Sequence, residues 1–172
     1  MALSVVKGVS NYTVYQGDPE GECEWTDVSN ITAEDGATAT ANCDISPYYK
    51  TKWLVCYNFD FNIPSNATIE GIKVRLKAKS QTLNSVMGYV QLGSWDGESF
   101  TEKGDLKYSY WSDTLTDYNH GGNTDLWNAT WLASEFDNQF GFYIYGKASS
   151  LTHGYLDYAE ITIYYTVPHH FF

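Results

Sequence analysis

The chain has little of what helices, metal sites and polyanion-binding surfaces require. Lys and Arg number only 10 of 172 residues against 21 Asp and Glu, a formal charge of −11. Nucleic-acid binding rests on basic side chains displacing counterions, so a surface of this sign excludes it. An anionic membrane surface is excluded for the same reason. No apolar run approaches the roughly 20 residues that cross a bilayer. The opening Met1-Ala-Leu-Ser-Val-Val-Lys-Gly has no basic segment leading into a long apolar one, so no signal peptide is expected. Either the protein is made in a cytoplasm, or a processed form begins here with an added Met. The 3 cysteines, Cys23, Cys43 and Cys56, are too few and too widely spaced for a CxxC metal site or a disulfide framework. Three free thiols are expected in preference to a Cys23–Cys43 bridge, with Cys56 acting as a small buried hydrophobe. No stretch repeats apolar residues at the helical period, and neither an internal repeat nor a low-complexity linker interrupts the chain.

Aromatic residues are abundant: 15 Tyr, 6 Trp and 8 Phe make up 17% of the sequence, inside a hydrophobic share of 43%. Such residues fit a pleated, half-buried surface and favour strands. Trp53, Val55, Tyr57, Phe59 and Phe61 alternate and are read as one face of a strand that Pro64 ends. Ile72, Val74, Leu76 and Ala78 alternate with Lys73, Arg75, Lys77 and Lys79, with a bulge expected near Gly71 because Ile69 is out of phase. A third strand carries Val86, Gly88, Val90 and Leu92, or the opposite set, inward. Two closing strands place Phe140, Phe142, Ile144 and Gly146, then Ala159, Ile161, Ile163 and Tyr165, toward the core. Ala37-Thr-Ala-Thr-Ala reads as a strand with a tight inner face, Asp117-Tyr-Asn-His-Gly-Gly as a loop, and Thr130–Phe136 as a helical turn or short edge strand. Many short strands with turn signals between them indicate an all-β fold: an antiparallel two-sheet β-sandwich, jelly-roll-like, in one domain spanning 25–167. Residues 1–24 read as an N-terminal arm and loop, whose short segments Ser4-Val-Val and Tyr12-Thr-Val-Tyr are edge strands or extended arms, and 168–172 as a C-terminal tail.

Asn58-Phe-Asp-Phe-Asn-Ile-Pro-Ser-Asn-Ala-Thr-Ile-Glu-Gly-Ile-Lys-Val resembles a signature of β-sandwich domains found in bacteriophage virion and tail-associated structural proteins and in some secreted bacterial proteins. Trp25 with Asn30-Ile-Thr and Asp35-Gly-Ala-Thr-Ala, Gly121-Gly-Asn-Thr-Asp-Leu-Trp, and Phe140-Gly-Phe-Tyr-Ile with Leu156-Asp-Tyr-Ala-Glu-Ile-Thr-Ile follow in the same order. Asn128 stands where that pattern has a glycine. The resemblance covers roughly residues 25–167, its motifs are structural, and it implies assembly or surface attachment.

No catalytic residue is assigned, because no nucleophile elbow, His-Glu-x-x-His or phosphate loop is present. Asp113, Asp117 and Asp125 around His120 and Gly121-Gly122 are a candidate oxygen set for calcium. They lack the alternating acidic register of a calcium loop, so a solvated turn is favoured and neither metal nor cofactor is expected. Trp95, Trp111 and Tyr118 are candidate glycan-stacking residues, with Tyr108, Tyr110, Trp127 and Trp131 also in the middle loops. Trp127 reads better as a cap on the sandwich core. Asn11, Asn30, Asn66 and Asn128 open Asn-x-Ser/Thr sequons, which chance explains. Val5, Val6, Phe171 and Phe172 are apolar and terminal, and are read as assembly arms that dock on a neighbouring subunit. The expectation is therefore a non-enzymatic virion protein of a tailed bacteriophage, a capsid decoration, neck, tail or baseplate component. It would be assembled in the host cytoplasm, with copies of itself and other virion proteins as partners. The alternative is a carbohydrate-binding module for cell-surface glycan, extracellular or phage-borne, or a subunit of an extracellular filament.

Overall fold

The computed structural model describes residues 2–44 and 49–168. Twelve strands are arranged in chain order: β1 Ala2–Gly8, β2 Asn11–Tyr15, β3 Trp25–Thr26, β4 Ala39–Cys43, β5 Trp53–Tyr57, β6 Thr68–Ser80, β7 Val86–Trp95, β8 Phe100–Glu102, β9 Lys107–Tyr110, β10 Thr116–Gly121, β11 Phe140–Ala148 and β12 Thr152–Thr166. They form two antiparallel six-stranded sheets. The first runs β10-β6-β12-β4-β3, with β1 continuing alongside the far half of β12; the second runs β2-β5-β11-β7, with β8 and β9 sharing the outer edge of β7. The fold is an all-β sandwich, as the alternating stripes imply.

The core lies between the sheets. From the first sheet, Ile72, Val74, Leu76 and Ala78 of β6 and Ala159, Ile161 and Ile163 of β12 point inward; from the second, Val86, Val90 and Leu92 of β7 and Phe142 and Ile144 of β11 meet them. Burying each of the larger side chains contributes about 1.5–3 kcal/mol. The expected bulge falls where β6 must change phase: Tyr164 pairs with Gly71 but Tyr165 with Ile69, so Glu70 is the extra residue. A second bulge, unforeseen, lies on β12 at Asp157, between Leu156 paired with Ala78 and Tyr158 paired with Lys77. It moves the inward set from Gly154 and Leu156 to Ala159 and Ile161, and the buried Asp157 carboxylate accepts the Gly36 N–H at 2.9 Å.

Three expectations are corrected. In 1–24 the edge-strand reading holds and the arm does not: β1 pairs with β12 from Ala2 to Gly8, and β2 pairs with β5 from Asn11 to Tyr15. Val5 packs against the core, while Val6, at 52%, is exposed. Phe171 and Phe172 lie outside the described residues. Asp117–Gly121 is no loop, since β10 pairs with β6 in continuous register despite its polar composition. The Trp53–Phe61 stripe is split as well. Leu54 and Cys56 face the core while Trp53, Val55 and Tyr57 face away from it. Asn58, Asp60 and Asn62 then adopt left-handed φ values of 57°, 52° and 52°, which Asn and Asp tolerate. Those three residues reset the alternation and turn Phe59 and Phe61 back into the core.

Trp111 closes one end of this core. It is fully buried, and an added Cβ at Gly88 of β7 or at Gly154 of β12 would run into its indole ring. The two glycines, one from each sheet, are the space the ring occupies. Gly88→Ala is expected to lower stability by about 1–3 kcal/mol through overpacking, and Trp111→Ala by about 3–5 kcal/mol through the cavity left behind. Urea unfolding of the two variants beside the parent checks both values.

Candidate functional site

The two outer faces of the sandwich differ in chemistry. On the first sheet, the outward Arg75 of β6 is ringed by acids: Nε donates to Asp117 Oδ1 at 3.0 Å, Nη2 to Glu34 Oε2 at 2.7 Å, and Nη1 lies 3.3 Å from Glu160. Lys77 donates to the other Glu34 oxygen. Partial burial opposes the Arg75 charge, but the Glu34 and Asp117 carboxylates outweigh it and hold the guanidinium above its usual value. Arg75 and Lys77 are thus matched by Glu34, Asp117 and Glu160, and Lys79 lies 5.5 Å over the Tyr155 ring.

The outer face of the second sheet is aromatic. Alternation on β11 sends Phe142 and Ile144 into the core and Tyr143 and Tyr145 outward, and the strands on either side do likewise. Tyr15 pairs with Trp53, Tyr145 with Tyr89, and Tyr89 with Tyr108. The residue paired with Leu54 is Ile144, so the next step of that ladder sets Trp53 beside Tyr145. A single row of rings, Tyr15, Trp53, Tyr145, Tyr89 and Tyr108, thus crosses five strands at the spacing of the strands, about 4.8 Å. Tyr145 and Tyr89 stack with centroids 4.6 Å apart and planes 6° from parallel; Trp53 leans along the sheet to stack on Tyr143 at 4.0 Å.

Part of the row is covered. Gly17 lies directly on the Trp53 ring, where a Cβ would find no room, and the Lys50 ammonium sits 4.6 Å over the Tyr145 centroid while pairing with Asp18. Burial raises the Tyr143 hydroxyl well above the usual tyrosine value, and its hydrogen bond to Glu102 raises it further. Accessible rings remain at the β7–β9 edge. Tyr108 is 58% and Tyr110 54% exposed, with half-buried Tyr89 beside them. At the other end of the face, Thr13, Tyr57, Asn58, Trp95 and Asp96 line a shallow cleft of about 360 Å³.

The residues singled out in the sequence separate on this map. Trp95 is on the aromatic face, largely covered by its edge contact with Tyr15 at 5.0 Å, and lines the cleft. Trp111 is on no surface and is withdrawn as a stacking residue. Tyr118 is withdrawn too: its ring packs on the core, and its hydroxyl accepts the Ser112 N–H at 2.6 Å. Trp127 caps the core as read from sequence, its Nε1 donating to Ile72 O at 2.9 Å. The acids Asp113, Asp117 and Asp125 do not converge. Asp117 is held by Arg75, and Asp125 by Lys107 and the Trp127 N–H. Asp113 stands in a separate cleft with Lys79 and Gln81. Among the described residues no three His, Cys, Asp or Glu side chains group as metal ligands would. Tyr89, Tyr143, Tyr145 and Trp53 were missed as site residues. The available signal was that both phases of β5 and β11 are apolar or aromatic, which a strand covered on one face alone does not need.

No protein-family model and no curated protein matches the sequence. Solved structures that share features of the fold include BiXyn10A CBM1 in its apo form, at 8% identity and a TM-score of 0.43 over 94% of this chain and 95% of that one. A structure described as "CBM4 structure and function" aligns at 14% identity and a TM-score of 0.41, covering 91% and 92% of the two chains. A family two carbohydrate esterase from Cellvibrio japonicus aligns at 10% identity and a TM-score of 0.40; the present chain covers 98% of itself but spans 37% of the esterase. At these values the likenesses carry no functional weight, and the face has to be judged on its own chemistry.

Among the described residues His120 is the one strongly buried histidine, 4% exposed on β10 opposite Val74. Burial, with a contribution from nearby Lys107, pulls it down to about 4, against about 6.5 when unfolded. It is neutral in the folded state, so the unfolded chain binds the extra proton as pH falls. Its stabilisation is whole above about pH 6.5 and is lost progressively toward pH 4, by at most about 3 kcal/mol. Unfolding free energies measured between pH 7 and 4 should fall in the parent and lose that part of the slope in His120→Leu.

Proposed function

We propose that this protein is a non-catalytic carbohydrate-binding module that holds a neutral glycan against the outer face of its second sheet. The observation that carries the reading is the aromatic row ending in the exposed Tyr89, Tyr108 and Tyr110. The C–H faces of sugar rings pack on aromatic faces, which carry negative charge above the ring plane. Rings repeated from strand to strand present successive platforms to successive sugars. The formal charge of −11 favours a neutral chain over a sulfated or uronic one. Stacking on a rigid sheet needs no rearrangement, so little ordering entropy opposes binding. Electrophoresis through gels containing neutral polysaccharides should retard the protein. Tyr108→Ala and Tyr110→Ala should each weaken binding by about tenfold, while melting near the parent temperature because both rings are exposed. Free migration through every neutral polysaccharide, or unaltered retardation of both variants, would refute the reading.

A second reading, assembly with copies of itself in a virion particle built in the host cytoplasm, is favoured by β1. Its one partner strand among the described residues is β12, which leaves its other edge open beside exposed Leu3 and Val6. An open apolar edge invites a further strand. Sedimentation should then reveal oligomers that Val6→Lys disperses; a monomer at high concentration sinks this reading without touching the first.

A further inference from the structure

All three cysteines are free thiols in the structure, as expected from the sequence, but we infer that Cys23 and Cys43 are a disulfide-forming pair, a cross-strand bond joining the segment that leads into β3 to the end of β4. Trp25 pairs with Ala41 and Thr26 with Thr40. The ladder continues backward, because the Asn42 N–H donates to Glu24 O at 3.0 Å. Glu24 and Asn42 are therefore the hydrogen-bonded pair, and one step further sets Cys23 opposite Cys43 at a non-hydrogen-bonded position. Cα atoms at such positions are about 4.5 Å apart, inside the roughly 4.4–6.8 Å that disulfides span. Both side chains share the buried face of their neighbours Trp25 and Ala41, and both are 0% exposed. Burial pushes the Cys43 thiol up to about 12, and the facing Cys23 adds to the shift, as two adjacent sulfurs would.

Cys23 also joins the sheets through its backbone. Its N–H donates to Lys50 O at 2.9 Å and its carbonyl accepts the Lys52 N–H at 2.8 Å. The third thiol, Cys56, belongs to another neighbourhood, paired with Tyr12 and Phe142 in the second sheet.

The reaction is thiol–disulfide exchange with a small disulfide such as oxidised glutathione. One thiolate attacks it and releases a thiol. The second cysteine then displaces the other half from the mixed disulfide, so the protein loses two protons and two electrons and the oxidant becomes two thiols. Burial of both sulfurs places this step during folding, before the segment around Lys50 closes over Cys23.

The test refolds the full-length protein in glutathione mixtures of stepped oxidised-to-reduced ratio, blocks remaining thiols, and maps unreduced digests by mass spectrometry. The expected product is one linked peptide joining Cys23 to Cys43, lighter by two hydrogens, with Cys56 blocked. The linked form should melt roughly 5–10 °C above the reduced form, from the loop constraint. That difference should vanish in Cys23→Ala and Cys43→Ala and persist in Cys56→Ala. Three blocked cysteines at every ratio, a link involving Cys56, or equal melting temperatures of linked and reduced protein would each overturn the proposal. The wild-type digest decides even if an alanine variant fails to fold.

Discussion

Strand β11 is buried on both of its faces, and that constraint organises the second sheet. Phe140, Phe142 and Ile144 face the first sheet, while Tyr143 and Tyr145 face what would otherwise be water. A strand in that position needs apolar cover on its outer side. Its neighbours supply it: Val55 and Trp53 from β5, Tyr89 from β7, then Trp95 and Tyr15 reaching in from the ends. Tyrosine suits such a layer, because its ring packs inward while its hydroxyl can stay wet or find a partner, as Tyr143 finds Glu102. The aromatic face is thus first a piece of packing. Its accessible rings are what remains uncovered at the β7–β9 edge, where the sheet ends and the loop after β2 does not reach.

The first sheet solves the same problem with charge. β6 presents Lys73, Arg75, Lys77 and Lys79 outward, and the acids that flank them, Glu34, Asp117 and Glu160, come from three separate parts of the chain. Each exposed pair is worth little alone. Their joint effect is to neutralise Arg75 and Lys77 at the middle of that face. One outer face is built on ion pairs and the other on aromatic rings.

Much of this fold was legible in the sequence, because it is written in alternation. The stripes on β6, β7, β11 and β12 and the phase break near Gly71 follow from period two alone. What escaped has physical causes that period two does not encode. Asp117-Tyr-Asn-His-Gly-Gly has the composition of a loop, yet β10 is a strand because the edge of β6 offers it a ladder. Tertiary pairing overrides local propensity there. Trp111 and Tyr118 resemble exposed loop aromatics in one dimension. Only the pair of glycines contributed by opposite sheets shows that Trp111 has a slot waiting for it. The accessible tyrosines were within reach of sequence reasoning, since Tyr108 and Tyr110 were already noted, but their alignment with Tyr89 depends on a register no single strand reveals.

The segment Asn58–Asn62 shows how a sequence motif can be specific without being chemical. A strand that enters with Trp53, Val55 and Tyr57 on the outer face cannot deliver Phe59 and Phe61 to the core by alternation, because all five share one parity. Three residues in the left-handed region, at 58, 60 and 62, break that parity. Asn and Asp occupy those positions because a β-branched or bulky side chain there would be strained. The returned rings then pack in series, Phe59 stacked on Phe142 at 5.6 Å and Phe61 edge-on to Phe140 at 5.9 Å. The Asn-Phe-Asp-Phe-Asn string is therefore a device for handing the chain from an aromatic outer face to an aromatic core. Its presence follows from a sandwich whose second sheet is covered on both sides, and it is equally compatible with any task the outer face performs.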